Sequence, residues 1–509
     1  MKLILSIAGL ALALLSQPAF AQKSKDTLRF PVSDMEAGID PYLLPGTFHY
    51  GWAPSVYDNL LGFNPVKSEF VGQLAKSWSQ TNDTTYEYEL RPGVKWHDGQ
   101  PVTADDVVYT ISYLIDPKVK LRYKAYWTWI KSVEKLGPNK IRITSKTPVP
   151  DGLMWMAGST PIYPKHVHEP LANKLDFAAK PVGTGPYRIV KFDKNTGIIA
   201  ERYKQFVATP AKAAAGIGRV VAEPINDSGT IVAAMLTGQA DAATNLPADQ
   251  AAALQQTGRF EVTLTPPALA YTFFGFPTKG AENVKALGDK RVRLAIAKSV
   301  DRKALLQAQY GELADQLQPA EALCSREQLG CAYGKSAPDY DPAGAKKLLA
   351  EAGYPDGFDV VINCFPINNV EATAVAGMLR AVGIRAAVRQ HPIAQRVQLL
   401  SQGKVDIGYY GWSGGAMFEV SSQLARHFTS GEYEDPVLTK MATDTFTMMN
   451  DAERRKAVAK VLDYAYENAY VFPMLPTRPI LTHTKEVTIV AQNEIRASQV
   501  TAIHEFRWK

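Results

Sequence analysis

The sequence predicts an α/β protein built from two or three lobes, and three observations carry that prediction. The chain has 509 residues, well beyond the roughly 250–300 at which a single hydrophobic core stops growing. Its first hundred residues read as β-rich. After Pro277, helical and extended patterns alternate, which argues for βαβ units on a parallel or mixed sheet. With 46% hydrophobic and 21% charged residues, the composition is that of a globular chain able to fill such cores.

Residues 1–21 stand apart as a secretory signal. Lys2 gives a positive start, Leu3 to Leu15 form the apolar run, and Ala19-Phe20-Ala21 is a small-x-small cleavage site before Gln22. The run is too short to anchor in a bilayer, and no later segment approaches the roughly 20 apolar residues of a membrane helix. No Cys follows the cleavage site, so nothing there suggests a lipid anchor. The expected product is a soluble, exported protein.

Thr27 to Val32 is the first predicted strand. The most informative stretch is Thr84 to Ile115. Tyr86, Tyr88 and Leu90 alternate with Glu87 and Glu89, the period of a half-buried strand. Pro92-Gly93 turns the chain, Val94 to Trp96 resumes an extended run, and His97-Asp98-Gly99 supplies another turn. Thr103 stands three residues before Asp106 in a capping-box arrangement, so a helix starts near Ala104 and buries Val107, Val108, Ile111, Leu114 and Ile115. Further along, Lys140 to Thr144 alternates as a strand. Pro148, Pro150, Pro161 and Pro164 punctuate loops. Gly183-Thr184-Gly185 lacks the rest of a nucleotide fingerprint and reads as a tight turn into the strand Tyr187 to Val190. Val220 to Ala222 and the helical Thr230 to Leu236 extend the α/β texture. In the last part, Arg291 to Ala308, Pro342 to Ala352 and Glu371 to Val382 are helical, and Phe358 to Asn363, Ile384 to Val388 and Val405 to Tyr410 are strands. No internal repeat and no flexible linker interrupts them.

The net charge of +6 is modest for this size, and the basic residues are scattered rather than blocked, which excludes nucleic acid as a natural partner. Of the three cysteines, Cys324 and Cys331 lie in a loop-like stretch with Gly330 and are expected to pair, leaving Cys364 as a buried thiol in VVINCF.

Several motifs invite chemistry. Gly411-Trp412-Ser413-Gly414-Gly415 fits G-x-S-x-G after a strand, the setting of a hydrolase nucleophile, with His427, His483 and His504 downstream. Read alone, no spacing singles out one of those histidines. His97-Asp98 looks like a catalytic pair but sits in turn chemistry. His166-x-His168 lacks a third ligand and reads as a surface loop. Arg122 to Trp129 packs four aromatics with Arg122 and Lys124. It is either a buried helix face or a ligand wall offering ring faces and a bidentate carboxylate donor.

Six segments in order then carry a resemblance: LAKSW (Leu74 to Trp78), LRPGVKWHDGQPVTADDVVYT (Leu90 to Thr110), PVGTGPYRI (Pro181 to Ile189), RVRLAIAKSVDRKALL (Arg291 to Leu306), YDPAGAKKLLAEAGYPDGFDV (Tyr340 to Val360) and KVDIGYYGW (Lys404 to Trp412). Together they resemble the family 5 extracellular solute-binding proteins, the periplasmic receptors of ABC importers for peptides, nickel complexes and opines. The resemblance implies a two-lobed periplasmic binding protein-like fold of the class II type with an additional small domain. By analogy, lobe I takes residues 22–65, 182–276 and 485–509, the small domain 66–181 packs on it, and lobe II takes 277–484. It further implies a non-catalytic, monomeric receptor without a cofactor, closing on a small organic solute of the peptide or opine type and docking on an inner-membrane permease. Receptors for an oligosaccharide or a metal chelate share the same fold, and a secreted serine hydrolase using Ser413 is the alternative of another class.

In that family a Gly-Trp pair after this strand opens a ligand-facing loop, which makes Trp412 the leading site residue, with Ser413 beside it. Arg122, Tyr126 and Trp127 become a cleft wall, and Met35, Glu36, Phe274 and Phe276 edge-of-cleft candidates. Peptide-binding members usually carry an Asp soon after the Gly-Trp pair. Here the first carboxylate is Glu419, seven residues past Trp412, so the ligand either needs no carboxylate at that place or is reached by Glu419.

Overall fold

The computed structural model describes residues 26–32, 35–44, 48–64, 67, 69–265, 270–325, 328–392, 395–413, 419–430, 432–490 and 502–509. The secretory segment expected over 1–21 and the loop Gly414 to Phe418 lie outside them.

Two apolar cores organise the chain. The first draws chiefly on Leu28 to Ala222, joined by Leu481, Val487, Ile503 and Phe506 near the end. The second draws on Ile231 to Ile480. Two four-stranded sheets line the first core. In one, Thr27–Val32 pairs in parallel with Arg219–Pro224, and Gly197–Arg202 and Tyr187–Asp193 follow antiparallel. The other runs antiparallel in the order Ala75–Asn82, Thr85–Leu90, Lys140–Ser145, Ile130–Gly137.

The two-residue period of Thr85–Leu90 acts as the sequence requires. Tyr86, Tyr88 and Leu90 are buried, while Glu87 on the other face pairs with Lys140 at 2.7 Å and Arg142 at 2.6 Å. The helix Ala104–Ile115 starts where its capping residues predict: Asp106 Oδ2 accepts from the Thr103 N–H at 2.9 Å and the Thr103 hydroxyl at 3.1 Å. Val94 to Trp96, by contrast, does not extend into a strand. The segment closes on itself through a single bridge between Lys95 and Pro101, with Gly93 and Gly99 at φ of 79° and 91°. Those angles favour glycine and turn the chain too sharply for a ladder.

The second core packs on a five-stranded mixed sheet. Arg385–Gln390, Asp359–Cys364 and Ile407–Ser413 run parallel, and Ala270–Gly275 lies antiparallel between Ile407–Ser413 and Val471–Pro476. All six residues of Ala270–Gly275 are buried. The crossing expected after Phe276 therefore comes earlier, because this strand already belongs to the second core's sheet. Phe274 and Phe276 stack on each other at 6.1 Å and meet Tyr409 and Phe472 edge-on. They are core residues, which corrects their reading as cleft edge.

A three-stranded sheet, ordered Ala242–Thr244, Ile480–Thr484, Phe260–Leu264, stands between the cores. Its alternation serves both: Ala242 and Leu481 join the first core, Ala243 and Ile480 the second. The helical run expected over Arg291 to Ala308 is broken into Lys290–Lys298 and Arg302–Tyr310, because the Asp301 carboxylate caps the second piece through the Ala304 N–H at 2.9 Å. Cys324 and Cys331 are bonded with Cα atoms 5.8 Å apart, and Cys364 is a buried free thiol. Among the described residues, no helix is long and apolar enough to cross a membrane.

Candidate functional site

The strand Ile407–Ser413 is held in the second sheet by Tyr271 opposite Trp412 and Ala270 opposite Ser413. It ends where the two cores meet. Trp412, half-buried, packs against both of them. Its ring meets His427 edge-on at 5.8 Å, and its Nε1 has no hydrogen-bond partner among the described residues. Only the backbone of Ser413 is described.

After the loop the chain re-enters as the helix Val420–Phe428, and Glu419 starts it. Glu419 Oε2 accepts from the Ser421 N–H at 2.7 Å and from the Ser421 hydroxyl, while Oε1 accepts from Arg454 Nε at 3.0 Å. Its side chain is fully buried, and that of Arg454 nearly so. Burial pushes the Glu419 pKa up, and Ser421 and Arg454 oppose the rise. Both oxygens are spent inside the second core, so Glu419 is a helix cap and ion-pair partner. This corrects its reading as a ligand-facing carboxylate: an unpartnered charge at this depth is strongly unfavourable, and the fold partners it with its own arginine.

Four residues apart on that helix, Ser422 and Arg426 share a face and reach across to the first core. The Ser422 hydroxyl donates to the Asp151 carboxyl. Arg426 Nη1 donates to the Tyr126 hydroxyl at 3.1 Å, with its guanidinium 5.4 Å from the Tyr126 ring and 5.6 Å from that of Tyr123. Tyr123 and Tyr126, three apart around the 3₁₀ turn Lys124–Trp127, stack at 4.9 Å with 18° between planes. Arg122 lies 4.4 Å over the Tyr123 ring, and Trp155 sits 5.0 Å from Tyr126. Two stacked rings thus carry one guanidinium from each side of the boundary.

The aromatic run therefore divides. Arg122 and Tyr126 lie at the boundary, whereas Trp127 is core: its indole donates to Thr160 Oγ1 at 3.1 Å and its ring packs on Tyr42 at 5.2 Å. Met35 is buried in the first core with Glu36 half-buried beside it. Tyr123, Asp151, Ser422 and Arg426 were not singled out from sequence. The four-residue spacing of Ser422 and Arg426 was a usable signal, but Asp151 was hidden in a proline-rich stretch read as loop.

The histidines take structural parts. His97 meets the Gly185 carbonyl at 2.9 Å and accepts from the Gly183 N–H at 3.2 Å, and burial pulls its pKa down to about 4. His168 is buried, not in a surface loop, because the short helix Lys165–His168 turns it inward onto Tyr109 at 2.6 Å. His427, surrounded by Trp412, Phe273, Phe428 and Tyr433, is driven to about 3 by burial, and its Nε2 has no partner among the described residues. Among the described residues, no group of three or more His, Cys, Asp or Glu gathers as a metal site.

The glutathione-binding protein GsiB of Escherichia coli is 26% identical over 503 residues, covering 94% of each chain. The chain superposes on NikA from Brucella suis in complex with Fe(III)-EDTA with a TM-score of 0.83 at 19% identity, covering 95% of this chain and 100% of that one. It superposes on the periplasmic binding protein DppA from Helicobacter pylori in complex with peptide STSA with a TM-score of 0.76 at 21% identity, over 95% and 98%. The model of the bacterial extracellular solute-binding proteins, family 5, matches residues 69–435. The chain belongs to that family, the solute receptors of ABC importers.

Proposed function

We propose that this receptor captures a small peptide-like solute bearing at least one carboxylate, in the periplasm, and delivers it as a monomer to an inner-membrane ABC permease without chemical change. The observation that supports this reading is the pair of guanidiniums, Arg122 and Arg426, set on opposite sides of the boundary around the stacked Tyr123 and Tyr126. Carboxylates are the natural partner of such a donor set, and one reached from both sides favours the closed state by its differential affinity for that state. Trp412, packed against both cores, supplies the apolar wall. The relatives named as glutathione-binding support the same class of solute.

Native mass spectrometry of the purified protein, followed by calorimetry with glutathione and a panel of tripeptides, tests the reading. A retained peptide mass and a binding isotherm lost in Arg122→Ala are expected. Retention of a sugar or a bare cation, with no response to any peptide, overturns it. A metal chelate held by carboxylates is the second reading, favoured by the likeness to the NikA complex with Fe(III)-EDTA, and the same two arginines would hold it.

A further inference from the structure

The helix Val420–Phe428 carries both contacts described above that cross the boundary, Ser422 to Asp151 and Arg426 to Tyr126. Its first turn rests on the segment that the Cys324–Cys331 disulfide closes. The Val420 N–H donates to the Leu329 carbonyl at 3.0 Å, and Leu329 forms a parallel bridge with Glu419. Gln328 Nε2 donates to Gln423 Oε1 at 2.6 Å, while Gln423 Nε2 donates to the Leu323 carbonyl at 2.8 Å and to the Tyr271 hydroxyl. Gly330 lies so close to the helix cap that a side chain there would collide with Glu419 Oε1.

The segment also meets both cores. Leu329 packs against the first, and Cys324 and Cys331 belong with the second. Its own main-chain hydrogen bonds among the described residues are two turns, from the Gln328 N–H to the Ser325 carbonyl at 2.9 Å and from the Cys331 N–H to the Gln328 carbonyl at 3.2 Å. Fixing the backbone of each residue costs about 1–2 kcal/mol, more in sum than two such bonds return. The covalent closure supplies the rest of the constraint.

We propose that the Cys324–Cys331 disulfide is a positioning element for solute binding. It holds a cradle that sets the place of the helix Val420–Phe428, and through it the place of Ser422 and Arg426 at the boundary. This inference rests on the reading that the solute is held at that boundary. A disulfide that only stabilises acts by restricting the unfolded chain and leaves the native helix where it is. A clamp acts on the folded state: opening it frees the first turn of the helix, while elements of the second core that do not touch the cradle keep their packing. The two roles differ in where the native protein loosens.

Hydrogen–deuterium exchange read by mass spectrometry tests this on the wild type and Cys324→Ser/Cys331→Ser, well below the melting temperature of either. Amides of 420–428 are expected to exchange more than ~10-fold faster in the variant, as in a local opening, with those of the helices Pro342–Glu351 and Asn369–Arg380 unchanged. A lower melting temperature with unchanged exchange at 420–428, or exchange quickened alike throughout the second core, overturns the proposal. Should the double variant not fold, Gln328→Ala, which keeps the disulfide but removes the tie to Gln423, carries the test with the same expected and refuting results. Calorimetry with the panel of tripeptides gives the second arm. The affinity of a tripeptide that binds the wild type is expected to fall by more than ~5-fold in the variant, and equal affinity overturns the proposal while the peptide reading stands. If no tripeptide binds the wild type, the peptide reading falls, and exchange at 420–428 still decides the clamp.

Discussion

Replacing Glu419 with Ala decides whether that carboxylate serves the fold or the solute. Two losses follow from its geometry. The helix Val420–Phe428 loses its cap, the Ser421 N–H at 2.7 Å, worth about 1 kcal/mol. Arg454, 5% exposed at its side chain, loses its buried counter-ion, and an uncompensated charge of this kind costs about 3–5 kcal/mol. Arg454 keeps Asp451 Oδ1 at 2.9 Å and the Met448 carbonyl at 2.8 Å, which holds the sum near the lower end, about 4 kcal/mol. Urea unfolding followed by tryptophan fluorescence measures it, and Arg454→Met with the double variant completes a thermodynamic cycle. The double variant should be less destabilised than the sum of the singles by about 2 kcal/mol, since contacting partners couple. A destabilisation under about 1 kcal/mol accompanied by a large loss of solute affinity would refute the argument and return Glu419 to the cleft.

Trp412→Ala should weaken solute binding by over ~1 kcal/mol, as removal of a buried aromatic anchor usually does, and unchanged affinity by calorimetry would contradict its place between the cores. Acid should destabilise the ligand-free protein through His427 and His168. Their folded pKa values of about 3 and about 4 lie below the unfolded value of about 6.5. The unfolded chain therefore binds protons first, and the stability these residues contribute above pH ~6.5 is lost as the pH falls through that window. Asp151, held up to about 7, acts with the opposite sign, losing its contribution as the pH rises from about 4 to 7. Melting temperatures across pH 4–8 should accordingly show a steeper acid slope in Asp151→Asn and a flatter one in His427→Phe. Cys324→Ser should lower stability by about 2.5 kcal/mol for a loop of about eight residues, and an unfolding midpoint indifferent to reductant would contradict that.

The parts that were legible in the sequence are those governed by local rules. A period of two fixed which side chains of Thr85–Leu90 are buried, and an acidic third position after Thr103 set the start of Ala104–Ile115. Even the misreadings there were local: two glycines at positive φ and one capping aspartate, Asp301, divided elements that hydrophobicity alone would have continued. The boundary between the cores obeys no such rule. Whether Phe274 faces a cleft or a core depends on which sheet adopts its strand, and Ala270–Gly275 finds its partners in residues more than a hundred positions away. Asp151 and Ser422 are 271 residues apart and meet only across the boundary between the two cores. Glu419 shows the same limit in reverse: its distance from Trp412 along the chain suggested a reach into the cleft, yet Arg454, 35 residues on, claims it. The contacts across the boundary between the cores are thus pairings that no local rule of the sequence sets. Segments such as Leu90 to Thr110 identify the scaffold one by one, whereas Tyr126 and Arg426, or Asp151 and Ser422, become neighbours only in the folded chain.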